Sequence, residues 1–117
     1  MTVRTCLARI PLADVAREGA LAGDFTPIER TELEGRPDRT IAGRLALKIA
    51  LVGLWAQLVP GQPVRPRDFV LRSDSSGAPR LRSFPEGIPG LEVQVSIAHS
   101  ADLAVGLAAA FDPRGAP

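Results

Sequence analysis

The longest apolar run in the chain is Asp38 to Val59, DRTIAGRLALKIALVGLWAQLV. Ile41, Leu45, Leu47, Ile49, Leu51, Val52, Leu54, Trp55, Leu58 and Val59 leave it little solvated face, which predicts a helix buried on several sides and stopped by Pro60 and Gly61. Thr40, Arg44 and Lys48 recur every four residues and share one side of it, so the two cations form a stripe able to meet an anion or an acidic partner. Upstream, Val3, Thr5 and Leu7 alternate with Arg4, Cys6 and Ala8, which predicts a strand over Val3 to Leu12, limited by Pro11. Ala13 to Leu21 reads as a short helix punctuated by Gly19 and Gly23. Thr26-Pro27-Ile28-Glu29 has the spacing of a capping box with Pro at the first helical position, so a further short helix runs through about Leu33.

The second half reads as β. Pro60 to Pro66, PGQPVRP, is an extended connector. Asp68 to Ser73 and Pro79 to Phe84 flank Asp74-Ser75-Ser76-Gly77-Ala78 as a hairpin. Leu91 to Ala98 places Leu91, Val93, Val95 and Ile97 on one face; His99 to Asp102 turns the chain, and Leu103, Val105, Leu107, Ala109 and Phe111 alternate again, a second antiparallel hairpin. Asp112 to Pro117 reads as a frayed tail. Helices packed on one side of a mostly antiparallel sheet, around one long central helix, make an α+β fold, and 117 residues make a single domain over 1–117.

Charge and cysteine content narrow the partners. Fourteen basic against thirteen acidic residues leave +1, which gives no general electrostatic case for nucleic acid or an anionic membrane. The long helix is interrupted by Arg44 and Lys48, and its charge-free part from Ile49 to Leu58 falls short of the ~20 residues of a membrane span. Cys6 alone excludes an intrachain disulfide and reads as a small buried hydrophobe; with no secretory pattern at the start, a cytoplasmic protein is expected.

Three segments in order carry a resemblance: Phe25-Thr26 with Glu29 or Glu32, then Ala42-Gly43-Arg44-Leu45-Ala46-Leu47-Lys48, then Val95-Ser96-Ile97-Ala98-His99-Ser100. Together they resemble the holo-[acyl-carrier-protein] synthase group of 4′-phosphopantetheinyl transferases across nearly the whole chain. Asp68-Phe69-Val70-Leu71 followed by Ser76-Gly77-Ala78-Pro79 is similar to the family's hairpin, where Gly-Lys-Pro is common. The resemblance implies a 4′-phosphopantetheinyl transferase-like fold, trimers with a site between subunits, and transfer of phosphopantetheine from coenzyme A to a serine of an acyl-carrier protein. It also implies Arg44, Lys48, His99 and Ser100 as coenzyme A-binding positions.

The family holds magnesium between an Asp of the first strand and the Glu of a Lys-Glu-Ala triplet, since hard cations want oxygen ligands. Here the triplet reads Lys48-Ile49-Ala50, and Arg9 stands where the strand Asp is expected. Two family lysines fall on Gly53 and Ala78. Losing one electrostatic stabiliser of a transferred phosphoryl group costs about 3 kcal/mol of barrier, so magnesium-dependent transfer is expected to be impaired or absent. Ser96 and Ser100 have no base and acid at catalytic spacing, and no Cys/His cluster supports zinc. Three readings stay open: a binding module for an acyl carrier or an active paralogue, a transferase in which the cations Arg9 and Lys48 replace the metal, and a ligand-free structural subunit. Each cation also has a plainer reading, Arg9 as a surface ion pair and Arg44 and Lys48 as a solvated stripe. A carboxylate from a neighbouring subunit, Glu29 or Glu32, is a further candidate to refill the metal position.

Overall fold

The protein is described from a computed structural model covering residues 1–15 and 17–114. The element order is β1 (Thr2–Pro11), a 3₁₀ turn (Leu12–Asp14), α1 (Arg17–Gly23), α2 (Pro27–Leu33) and α3 (Asp38–Leu58). A second 3₁₀ turn (Pro66–Asp68), β2 (Val70–Ser73), β3 (Pro79–Ser83), β4 (Glu92–His99) and β5 (Leu103–Asp112) complete it. Strands β1, β5 and β4 form one antiparallel sheet in that spatial order, and β2 and β3 pair as a separate hairpin.

The expected single helix over Ala13 to Leu21 is instead the 3₁₀ turn and, further on, α1; Ala16 lies outside the described residues. Asp68, expected to open a strand, closes the second 3₁₀ turn, where its carboxylate accepts from the Arg65 N–H at 2.9 Å. The tail also differs from expectation. Asp112 is the last residue of β5, 5% exposed, and its carboxylate takes the Arg114 guanidinium at 2.8 Å. Arg114 Nη2 then donates to the Leu58 carbonyl at 2.7 Å, placing a cation on the C-terminal end of α3, where the helix dipole and unpaired carbonyls favour it. Gly115, Ala116 and Pro117 lie outside the described residues.

Helix α3 is the core. By length and composition it could cross a membrane, with mean hydropathy 1.4 over its best window, yet 67% of that window is buried inside the protein. Leu47, Ala50, Leu51, Leu54 and Trp55 lie fully buried against Phe69, Leu71, Ala108 and Ala110. Phe69 and Phe84 meet the Trp55 ring edge-on and tilted, at centroid distances of 5.7 and 5.6 Å. A smaller cluster of Ala20, Phe25, Leu33 and Ile41 seats α1 and α2 on the first turns of α3.

Strand β5 meets α3 with its smallest residues. Ala104, Ala108 and Ala110 are fully buried and Gly106 touches the α3 backbone, while Leu103, Val105, Leu107, Ala109 and Phe111 point to the other side of the sheet. Strand β1 does so in part: Cys6 and Ala8 pack on the core beside the larger, buried Ile10, and Val3 and Leu7 are 53% and 49% exposed. Cys6 is only half-buried, its sulfur filling the space beside Gly53 on α3. The tip of the β2–β3 hairpin is held by Asp74, which accepts from the Ser76 N–H and hydroxyl, the Ala78 N–H and Arg80 Nε. Gly77 supplies the positive φ of 87° that this turn needs.

Candidate functional site

The cationic stripe of α3 faces inward, not outward. Lys48 is fully buried, and its ammonium donates to Glu29 Oε1 at 2.6 Å and to the carbonyls of Asp24, Pro66 and Phe69 at 3.0, 3.1 and 2.8 Å. The Phe25 ring lies 4.9 Å from it. Burial pulls the Lys48 ammonium below its ordinary value against the opposing pull of Glu29. Glu29 is committed too: Oε1 also accepts from the Thr26 N–H and hydroxyl, and Oε2 accepts from the Leu71 N–H at 2.9 Å. This ion pair ties α2, β2 and the second 3₁₀ turn to α3. Lys48 and Glu29, both buried, therefore have no surface to give a ligand.

One helical turn earlier the surface opens. A cleft of about 360 Å³ lies between the end of α2, the first half of α3, the β2–β3 hairpin and the end of β4. Glu32, Arg36, Thr40, Arg44, Ser73 and His99 bring polar groups to it, and the hairpin tip closes one wall with Gly77, Ala78 and Pro79. Arg44, 5% exposed, donates from Nη2 to the Ser73 hydroxyl at 2.7 Å. Glu32 accepts from the Ser73 N–H at 2.7 Å and from Arg72 Nε at 3.2 Å. Burial pushes the Glu32 carboxyl up, but bonds from Ser73 and the charges of Arg44 and Arg72 outweigh it and hold it below its ordinary 4.5. His99 Nε2 lies 3.1 Å from the Arg39 carbonyl. A larger hollow of about 590 Å³ over the loop from Arg82 to Pro89 has only Arg82 and Glu86 as charged lining and holds none of these residues.

Of the four positions expected to bind coenzyme A, Arg44 and His99 meet in the cleft and Lys48 and Ser100 do not line it. The Ser100 hydroxyl donates to Asp102 at 3.2 Å in the exposed β4–β5 turn. Arg9 sits opposite Val105 on the outer face of the sheet, whereas its neighbour Ile10 faces α3. Arg9 and Lys48 thus lie on different sides of β1. The sequence offered Glu32 as a candidate carboxylate for the metal position but did not mark Arg36; stepping the stripe of Thr40 and Arg44 back by four reaches Arg36, whereas nothing in the sequence marks Ser73 as the link between Arg44 and Glu32.

The same geometry tests the implied magnesium. Ile49 is 43% exposed on α3, and β1 turns Ala8 and Ile10 toward the helix. These side chains offer no oxygen, so the positions do not fit a hard cation. Among the described residues no three His, Cys, Asp or Glu side chains converge.

Because Glu32 is held below its ordinary pKa, its bonds stabilise the fold above pH 4.5 and are lost as pH falls through the depressed value. Thermal melts from neutral to acid pH should show stability dropping below that point, and Glu32→Gln should flatten the drop. An unchanged acid limb in the variant would mean that Glu32 does not contribute to it.

No protein-family model and no curated protein matches the sequence. Solved structures do. The acyl carrier protein synthase of Mycobacterium tuberculosis superposes with TM-score 0.71 at 26% identity, covering 93% of this chain and 96% of that one. The holo-(acyl-carrier-protein) synthase of Bacillus anthracis, solved with CoA (3′,5′-ADP), gives TM-score 0.72 at 25% identity over 91% and 93%. The CoA complex from Chronobacterium ammoniagenes gives TM-score 0.82 at 23% identity over 97% and 100%. With the long central helix, the antiparallel sheet and the flanking hairpin superposing over at least 91% of the chain, this protein has the fold of the holo-[acyl-carrier-protein] synthases.

Proposed function

We propose that the protein binds coenzyme A in the Arg44–His99 cleft and acts as a recognition module for an acyl-carrier protein or an active paralogue, with magnesium-dependent phosphopantetheine transfer impaired or absent. One observation carries this reading: the cleft has the cations Arg36 and Arg44, with the His99 ring beside them, at a place suited to phosphate, while position 49 is an exposed isoleucine. Solved relatives that hold coenzyme A support the ligand class. The separation of Arg9 from the buried Lys48 weighs against a transferase that replaces the metal with those two cations. The outer sheet face, with Val3, Leu7 and Leu107 each at least 40% exposed, supports assembly with further copies of this chain as a homotrimer. A cytoplasmic location, where carrier proteins and coenzyme A meet, completes the reading.

The test is calorimetric titration with coenzyme A in magnesium and in EDTA, beside intact-mass analysis of an apo carrier protein and light scattering for the assembly. Binding is expected to be unchanged by EDTA, with no phosphopantetheine mass added to the carrier. Arg44→Lys, which keeps the charge but not the fork, should weaken binding about tenfold. Magnesium-dependent transfer would overturn the reading, and no binding at all would favour the structural subunit. Monomers in light scattering would remove the trimer.

A further inference from the structure

Gly43 lies on α3 one residue before Arg44 and directly beneath the end of β4. A Cβ built on it would stand 2.7 Å from His99 Nε2 and 2.8 Å from Ile97 Cγ2, closer than packed atoms come. Ile97 and His99 are two apart on β4 and so share the face turned to the helix. The missing side chain is therefore a notch that lets the imidazole lie on the helix backbone. There Nε2 reaches the Arg39 carbonyl at 3.1 Å, the same carbonyl that the helical ladder pairs with the Gly43 N–H. A carbonyl has two lone pairs and no hydrogen, so it takes both bonds, and Nε2 must be the donor.

We infer that Gly43 is a positioning residue for His99: its bare Cα lets Nε2–H dock on the Arg39 carbonyl, which fixes the ring beside Arg44 and leaves Nδ1 as the nitrogen for a ligand. The tautomer and ring position of the free protein follow from the fold alone. Their effect on a ligand rests on the coenzyme A reading above. A side chain at position 43 would meet both Nε2 and Ile97 Cγ2 at under 3 Å, so the ring or the end of β4 must move outward.

His99 is the only histidine in the chain, so a long-range ¹H–¹⁵N spectrum of the imidazole contains one ring and needs no assignment. At mildly alkaline pH the wild-type protein should show the Nε2–H pattern, and Gly43→Ala should shift it toward averaged tautomers. An Nδ1–H or averaged pattern in the wild type would overturn the inference without any variant having to fold. Coenzyme A titration supplies the second arm. His99→Ala should weaken binding about tenfold, Gly43→Ala by a similar factor, and the double variant no further, since both remove one contact. Losses that multiply, or a Gly43→Ala protein that binds within about twofold of wild type, would also overturn it. If the wild type does not bind coenzyme A, the reading of the site fails, and the spectrum still decides the positioning.

Discussion

Lys48→Met is expected to lower stability by about 3–5 kcal/mol, the loss typical of removing one partner from a buried ion pair. The size follows from what stays behind. Glu29, 1% exposed, would be left with only neutral donors, and the carbonyls of Asp24, Pro66 and Phe69 would each lose a bond in the interior. At this chain length such a loss corresponds to a melting point lower by about 10–20 °C. Glu29→Leu added to Lys48→Met should recover part of it, because no buried charge then remains, though the Leu71 N–H loses its acceptor and the three carbonyls still lack the Lys48 donor. Chemical denaturation of the single and double variants measures both steps. A Lys48→Met protein within about 1 kcal/mol of wild type would mean that the pair does not hold these elements together.

Gly106→Ala should lose about 3 kcal/mol or more, at the upper end for overpacking. The added methyl would stand 2.6 Å from the Ala46 carbonyl carbon and against the Leu47 backbone, and backbone cannot rotate away as a side chain can. Either α3 lifts from β5 or the sheet bends. Lifting α3 would disturb Gly43 and Arg44, so coenzyme A binding should weaken along with stability. A well-folded Gly106→Ala protein with wild-type melting would show that helix and strand are farther apart in solution than the structure places them.

Much of the architecture was legible in the sequence because each element carries a local signal. The capping box at Thr26, the prolines and glycine after Leu58, the Asp74–Gly77 turn and the alternation of β4 each act within a few residues, and the structure forms elements at all of them. The motif residues Arg44 and His99, more than fifty positions apart in the chain, were also visible as candidates, and they line one cleft. Gly43 was visible only as part of a motif; its effect depends on a strand that arrives from the far end of the chain.

The orientation of the elements was not legible. An all-round apolar helix and strands with apolar residues on both faces do not say which side turns inward. Helix α3 buries its Lys48 because Glu29 and three carbonyls come to meet it from distant segments, and it leaves Ile49 exposed. Strand β5 turns its larger apolar residues away from the core because only Gly106 and its alanines allow α3 to approach so closely, and β1 turns Val3 and Leu7 outward while burying Ile10. The sequence by itself determined where elements start and stop, since caps, turns and periodicity are local. The tertiary structure alone decided which faces are buried and which cations line the cleft, because burial depends on the partners that long-range packing brings to each face.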